Sequence, residues 1–185
     1  MARQARLAVA RIAELGSRAL ARARRNLGPR DRRRFSRMRS AKRRREFLAG
    51  RALLQTLGLK VDSSPQGMIR VQTREGVSIS HARGWVACIV VPEGRPGIDI
   101  EPMVERDFTA LGRYQFGKAL SRRDFYEQWT RYEARIKAFG DDKRRDSHKE
   151  YFYLRPRGIA VSVCVPAASR APRFLRAPRR GRSGG

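Results

Sequence analysis

The chain is poor in acid. Of its 185 residues, 43 are Lys or Arg and only 17 are Asp or Glu, for a formal net charge of +26. It is also poor in the residues of metal and redox chemistry, with two cysteines, Cys88 and Cys164, and two histidines, His81 and His148. No Cys/His spacing resembles a zinc site. Each cysteine falls in an apolar, strand-like run, so the pair reads as buried thiols of a reducing compartment, although the sequence leaves a disulfide open. No apolar run approaches the roughly 20 residues that span a bilayer. The Arg-studded N-terminus lacks the continuous apolar core of a signal peptide, and the cytoplasm is the expected compartment.

Hydrophobic residues make up 41% of the chain, enough to build the core of one domain or of two small halves packed together. The charge is uneven. Residues 1–51 hold 18 Arg or Lys against Glu14, Asp31 and Glu46, and the last 18 residues hold six Arg and no acid. Such a balance favours anionic partners, whether phosphates, nucleic acid, acidic proteins or membrane surfaces, and does not choose among them. Nearly all the basic residues are Arg, the usage of a GC-rich genome, so part of the excess needs no dedicated ligand.

Four regions follow from the patterning. Residues 1–28 read as a basic amphipathic N-terminal helix over 4–25, with Val9, Ile12, Ala19, Leu20 and Ala23 on one side. Such a helix can lie on a membrane, but packing on its own domain is the commoner fate. Residues 29–76 contain a helix around Phe47, Leu48, Leu53, Leu54 and Leu57, stopped near Gly58. In residues 77–166 the grammar is mostly of strands, "VSISH", "WVACIVV" and "GIDIE", followed by a helix over 122–140 and a hairpin around "RPRG". Residues 167–185 are Pro, Arg, Gly and Ser and read as a disordered basic tail.

Against this basic background the stretch "GRPGIDIEPM" places two acids together. In a strand, residues two apart share a face, so Asp99 and Glu101 project together while Ile98 and Ile100 face the opposite layer. Two carboxylates on one face need a cation between them. Mg²⁺ is a natural occupant because it prefers hard oxygen ligands; arginine side chains are the alternative. A third carboxylate, Glu133, lies in "WTRYEARIK", with Lys137 four residues on and on the same face. A helix bearing Glu133 and Lys137, laid across the strand of Asp99 and Glu101, makes a site for a metal-bridged phosphate. Alone, the Glu133/Lys137 spacing equally describes a surface ion pair.

The pattern "GIDIE" followed some thirty residues later by "WTRYEARIK" resembles the signature of 4′-phosphopantetheinyl transferases of the surfactin-synthetase-activating type. "VSISHARGWVACIVV" is similar to that family's Ser-His strand, and "RRREFLAGRALLQTLG" to its nucleotide-contacting helix. The resemblance covers about residues 29–165. It implies an α+β pseudo-dimer of two similar halves, the first abbreviated, and the activity of a holo-[acyl-carrier-protein] synthase. Mg²⁺ would be held by Asp99, Glu101 and Glu133. Coenzyme A, the co-substrate, would be contacted by Ser80, His81, Asp99 and Lys137, with Arg45 and Arg34 at the 3′-phosphate. Glu133 and Lys137 would be the catalytic pair, and the partner an acyl or peptidyl carrier protein. The resemblance further implies a monomer with no specific nucleic-acid target.

Three positions depart from the family pattern. Tyr132 stands where the family has a lysine before the glutamate. A Gly-Lys-Pro segment is reduced to Gly67-Met68-Ile69. The leading N-terminal strand is not evident, and the Arg-rich helix occupies its place. A weak or inactive family member, or a non-catalytic basic protein binding nucleic acid or an acidic partner, are the rival expectations.

Overall fold

A computed structural model describes residues 4–65, 69–71, 73–140 and 148–178. Gly67 and Met68 of the abbreviated Gly-Lys-Pro segment lie outside them. The chain is a mixed α+β protein. Its elements run β1 (Arg6–Arg11), α1 (Ser17–Arg25), α2 (Pro29–Arg37), α3 (Ala41–Thr56), β2 (Val61–Ser63), β3 (Ile69–Val71), β4 (Gly76–Ala82), β5 (Trp85–Val91) and β6 (Gly97–Pro102). They continue with α4 (Phe108–Phe116), α5 (Arg122–Phe139), β7 (His148–Arg155), β8 (Ile159–Pro166) and β9 (Arg173–Leu175). None of the described helices is long and apolar enough to cross a membrane.

The strands form a four-stranded sheet in the order β4-β5-β1-β9, a three-stranded sheet in the order β6-β8-β7, and a small β2-β3 ribbon. Side-chain alternation sorts the residues into layers. On β5, Val86, Cys88 and Val90 face a core shared with Ala49, Leu53, Leu54 and Leu57 of α3. From the same strand Ala87, Ile89 and Val91 face Ile98, Ile100, Val161 and Val163 of the other sheet. The α5 side of that second sheet carries Ala160 against Phe125 and Tyr126. The order of layers is therefore helices, sheet, sheet, helices. Cys88 and Cys164 are free and buried, and burial in these apolar layers pushes the Cys164 thiol up to about 12 and the Cys88 thiol further still.

Three expectations are corrected. Residues 6–11 are a strand and not the first turns of a helix; the helix begins only at Ser17. β1 lies between β5 and β9 and is covered on both faces, with Leu7 in one core and Ala8 and Ala10 in the other. A short run that is apolar on both sides has no period to distinguish strand from helix. An N-terminal strand, not evident in the sequence, is therefore present. The C-terminal region is also partly ordered: Arg173–Leu175 pairs in parallel with Arg6–Ala8. Phe174 stacks edge-on against Tyr153 at 4.9 Å, and Arg155 lies over the Phe174 ring at 4.4 Å. Three strand residues are lost in an average over Pro, Arg, Gly and Ser; residues 179–185 lie outside the described part. Further, β4 and β5 hydrogen-bond into the N-terminal sheet, so the sheets divide between β5 and β6 and not at residue 76.

Every α-helix but α1 has a side chain accepting from N–H groups of its first turn. Ser40 accepts from Arg43 N at the start of α3, and Ser121 from Asp124 N at the start of α5. α2 begins on Pro29 and has its free N–H groups taken by a remote residue: the Asp62 carboxylate accepts from Asp31 N at 2.8 Å and Arg30 N at 3.3 Å. Burial pushes the Asp62 carboxyl up, but the N–H groups of Asp31, Ser63 and Arg30 outweigh it and hold it below its ordinary value.

Candidate functional site

The site is set by how closely α5 lies on β6. A Cβ built on Gly97 would stand 1.7 Å from the Ala134 carbonyl oxygen. Only glycine permits this approach, and it lets Lys137, one turn beyond Ala134, reach the residue two places after Gly97. Lys137 Nζ donates to Asp99 Oδ1 at 2.7 Å and to Ser80 Oγ at 3.2 Å. Ser80 Oγ in turn donates to Asp99 Oδ1 at 2.8 Å. The edge of one sheet (β4), the edge of the other (β6) and the long helix thus meet in a three-residue knot. A second link, from Ile98 N to Ser78 Oγ at 3.3 Å, ties the same two strands one step away.

Asp99 is almost completely buried, at 6% exposure. Its Oδ1 has two donors, while its Oδ2 is buried with no hydrogen-bond partner among the described residues. An unpaired buried carboxylate oxygen costs about 1–3 kcal/mol or more, so the position favours a cation. Glu101, half-buried on the same face, feels both burial and the Asp99 charge, which push its carboxyl above the ordinary range. Arg106, Arg83 and Lys137 pull in the opposite direction without cancelling the shift. Ile98 and Ile100 are fully buried between the two sheets, as the alternation predicts.

The other sequence candidates are not part of this knot. Glu133 is half-buried on α5, one turn before Lys137, but is not gathered with the two strand acids: among the described residues no group of three His, Cys, Asp or Glu side chains is placed to hold a metal ion. His81 is exposed at the end of β4. It follows Ser80 in the strand and so points to the opposite face, the one on which Ile79 meets α3. Arg45 is exposed on α3 and donates to Ile12 O at 3.5 Å, while Ile12 N donates to Gly84 O in the β4–β5 turn. Arg45 and His81 therefore sit at one end of the four-stranded sheet. Arg34 is on α2, its guanidinium over the Phe47 ring at 5.7 Å. Tyr132 is exposed and leans on Trp129.

Arg131 and Arg135, the residues flanking the Tyr132–Glu133 segment, are turned away. Arg131 pairs with Glu127 and Glu150, and Arg135 with Glu150 through two contacts. They do not supply the cation absent at Tyr132. Thr130, fully buried, is bound to Ser162 across the α5–β8 contact at 2.7 Å and fixes the helix over the sheet.

One cluster escaped sequence reasoning. Asp31 is completely buried on α2 and accepts from Arg51 of α3 at 2.5 and 2.8 Å, and from Ser63 Oγ at 2.5 Å. Arg51 also lies over the Phe47 ring at 4.6 Å. This fork locks the two helices that bear Arg34 and Arg45. Its members are twenty and thirty-two positions apart, and no local pattern pairs an acid at the start of one helix with an arginine inside the next.

Two surface hollows lie away from the knot, one around Gln4, Arg6, Glu75 and Pro92, the other along α5 near Asp124, Gln128 and Arg131. No protein-family model matches the chain, and no curated protein matches it.

Proposed function

We propose that the chain is a 4′-phosphopantetheinyl transferase that moves phosphopantetheine from coenzyme A to a serine of an acyl or peptidyl carrier protein. The observation that carries this reading is the Ser80–Asp99–Lys137 knot, which joins three separate sequence motifs at one point between the two sheets. The helix–sheet–sheet–helix layering is what two similar α+β halves with the co-substrate at their junction would require, and the chain would act as a monomer.

The donor set suits a hard divalent cation, since Asp99 Oδ2 is buried and unpaired and Glu101 shares its face. Asp99 and Glu101 would hold Mg²⁺, with Glu133 outside this pair, and the bound ion would supply charge neutralisation of the pyrophosphate. The chain's own residues do the rest. Ser80 orients the Asp99 carboxylate. Lys137 moves its ammonium from Asp99 to the phosphate oxygens and steadies the leaving group. Arg45 and Arg34, held by the Asp31–Arg51 fork beneath them, take the 3′-phosphate, and His81 borders the nucleotide. Glu133 accepts the proton as the carrier serine oxygen bonds to the β-phosphorus. The bond to the bridging oxygen breaks, and adenosine 3′,5′-bisphosphate leaves. Such a reaction requires positioning and charge compensation more than covalent assistance from the protein.

The test is direct. The full chain is mixed with an apo-carrier protein, coenzyme A and Mg²⁺, and the carrier is weighed by mass spectrometry. The expected outcome is a phosphopantetheine adduct on the carrier serine. No adduct on acyl, polyketide or peptidyl carriers, with the fold intact, overturns the reading.

A further inference from the structure

The layer made by α1, α2 and the first turn of α3 carries a charge imbalance of which the transferase chemistry uses only Arg34 and Arg45. Between Arg18 and Arg45 stand fourteen Arg or Lys residues, all of them exposed, and a single acid. That acid, Asp31, is buried and committed to Arg51 inside the fold. The opposite helical layer treats the same residue type differently: Arg122, Arg131 and Arg135 each pair with a carboxylate, from Glu105, Glu127 or Glu150. An arginine-rich genome spreads arginine over both layers. It does not remove the acids from one of them.

The guanidinium groups on the basic layer are nonetheless oriented. Arg24 and Arg44 both lie over the Phe35 ring, at 5.7 and 5.3 Å. Arg44 Nε donates to Met38 O at 2.7 Å, and Arg32 to Leu27 O at 3.3 Å. Ring faces and backbone carbonyls direct a guanidinium without neutralising it as a carboxylate would. The result is an array of forks with charge to spare.

We infer that this layer binds the phosphodiester backbone of a nucleic acid, without reading its bases. Guanidinium forks match phosphate oxygens bidentately, and a duplex presents one negative charge per roughly 1.7 Å of axis, a density suited to fourteen clustered cations. A lipid surface is disfavoured because the large exposed apolar side chains, Tyr114, Tyr132, Ile136 and Leu154, all lie outside these helices and leave no anchor for the acyl region. The inference does not depend on the transferase reading: that reading's knot is built from β4, β6 and α5, and only Arg34 and Arg45 of the basic layer are shared between the two.

The experiment is fluorescence anisotropy of a short labelled DNA duplex and the matching RNA duplex with the full chain, across a salt series. Two triple variants of equal net charge are compared: Arg25→Glu/Arg33→Glu/Arg37→Glu on the basic layer, and Arg95→Glu/Arg113→Glu/Arg123→Glu elsewhere. The first is expected to lose about tenfold or more in affinity and to flatten the log–log salt slope by about 3, near one per lost phosphate contact; the second is expected to retain the wild-type slope. Circular dichroism checks folding, and Arg25→Gln/Arg33→Gln/Arg37→Gln replaces a reversal variant that fails it, with a smaller loss of the same kind. Equal losses in the two triples overturn the inference, because net charge alone then explains binding. So does binding to phosphatidylserine vesicles with none to either duplex, or failure of the wild-type chain to bind a duplex at physiological salt.

Discussion

Lys137 Nζ stands 2.7 Å from Asp99 Oδ1, bridging the long helix and the edge strand of the second sheet. The pair is unequal: Asp99 is buried, whereas Lys137 keeps about a third of its side chain in water. The lysine is thus the mobile partner, and it is the only cation hydrogen-bonded to this carboxylate among the described residues.

Lys137→Met is expected to destabilise the protein by about 1–3 kcal/mol. That is less than the 3–5 kcal/mol for breaking a fully buried pair, since Lys137 is partly solvated. Urea unfolding with and without Mg²⁺ checks this. If Asp99 is a metal ligand, the ion restores part of the loss in the variant, and no restoration would remove Asp99 from the metal assignment.

Asp99→Asn is expected to abolish phosphopantetheine transfer while preserving the fold, because Ser80 still finds a hydrogen-bond acceptor in the amide oxygen. Ser80→Ala should cost about 1 kcal/mol in stability, the value of one buried hydrogen bond, and reduce transfer without eliminating it. Transfer rates beside thermal melts separate the two effects; an active Asp99→Asn protein contradicts the proposed site.

Gly97→Ala forces α5 off β6, because the new methyl would fall 1.7 Å from the Ala134 carbonyl oxygen. The expected cost is about 1–3 kcal/mol or more, as for other overpacked cores, together with loss of transfer out of proportion to stability. Chemical denaturation and the carrier assay together read both. A variant of wild-type stability would show that the helix and strand are not in this contact.

Asp31→Ala leaves the Arg51 guanidinium buried without its counter-ion and is expected to cost about 3–5 kcal/mol. Replacing both members, Asp31→Leu with Arg51→Met, should recover most of that. A double-mutant cycle in urea measures the coupling; additive losses would mean the fork contributes no specific interaction.

Glu150 contributes to the acid response. Burial pushes its carboxyl up, but Arg135 and Arg131 outweigh burial and hold it below its ordinary value near 4.5. A lowered folded value means that its contribution is complete above the unfolded value and is lost as pH falls through the folded one. Glu150→Gln should therefore weaken the protein at neutral pH and flatten the decline in stability below pH 4.5, as read from denaturation midpoints against pH. Glu101 has the opposite sign: its raised carboxyl makes its contribution decline as pH rises from about 4.5 through the folded value.

The sequence disclosed the parts of the fold that have a period. Alternation placed Ile98 and Ile100 opposite Asp99 and Glu101, and helical spacing found α3 and α5. β1 was hidden because a strand buried on both faces looks the same read as helix or strand, and β9 because three residues carry almost no signal. Within the site, the local spacings were readable, but the meeting of Ser80 with Asp99 depends on two sheets adjoining at β4 and β6, a long-range fact. The seat of Glu133 away from the strand acids follows from helix placement, which spacing along the chain does not specify.

The parallel pairing of β9 with β1 has a consequence for biosynthesis. β1 leaves the ribosome before β5 and β9 and is flanked in its sheet by β5 on one side and by β9, the last of these elements to be made, on the other. One edge of β1 therefore stays open throughout translation of everything between, and the four-stranded sheet closes only after residue 175 has emerged. A nascent chain that waits this long with an apolar edge exposed is a natural client for chaperones.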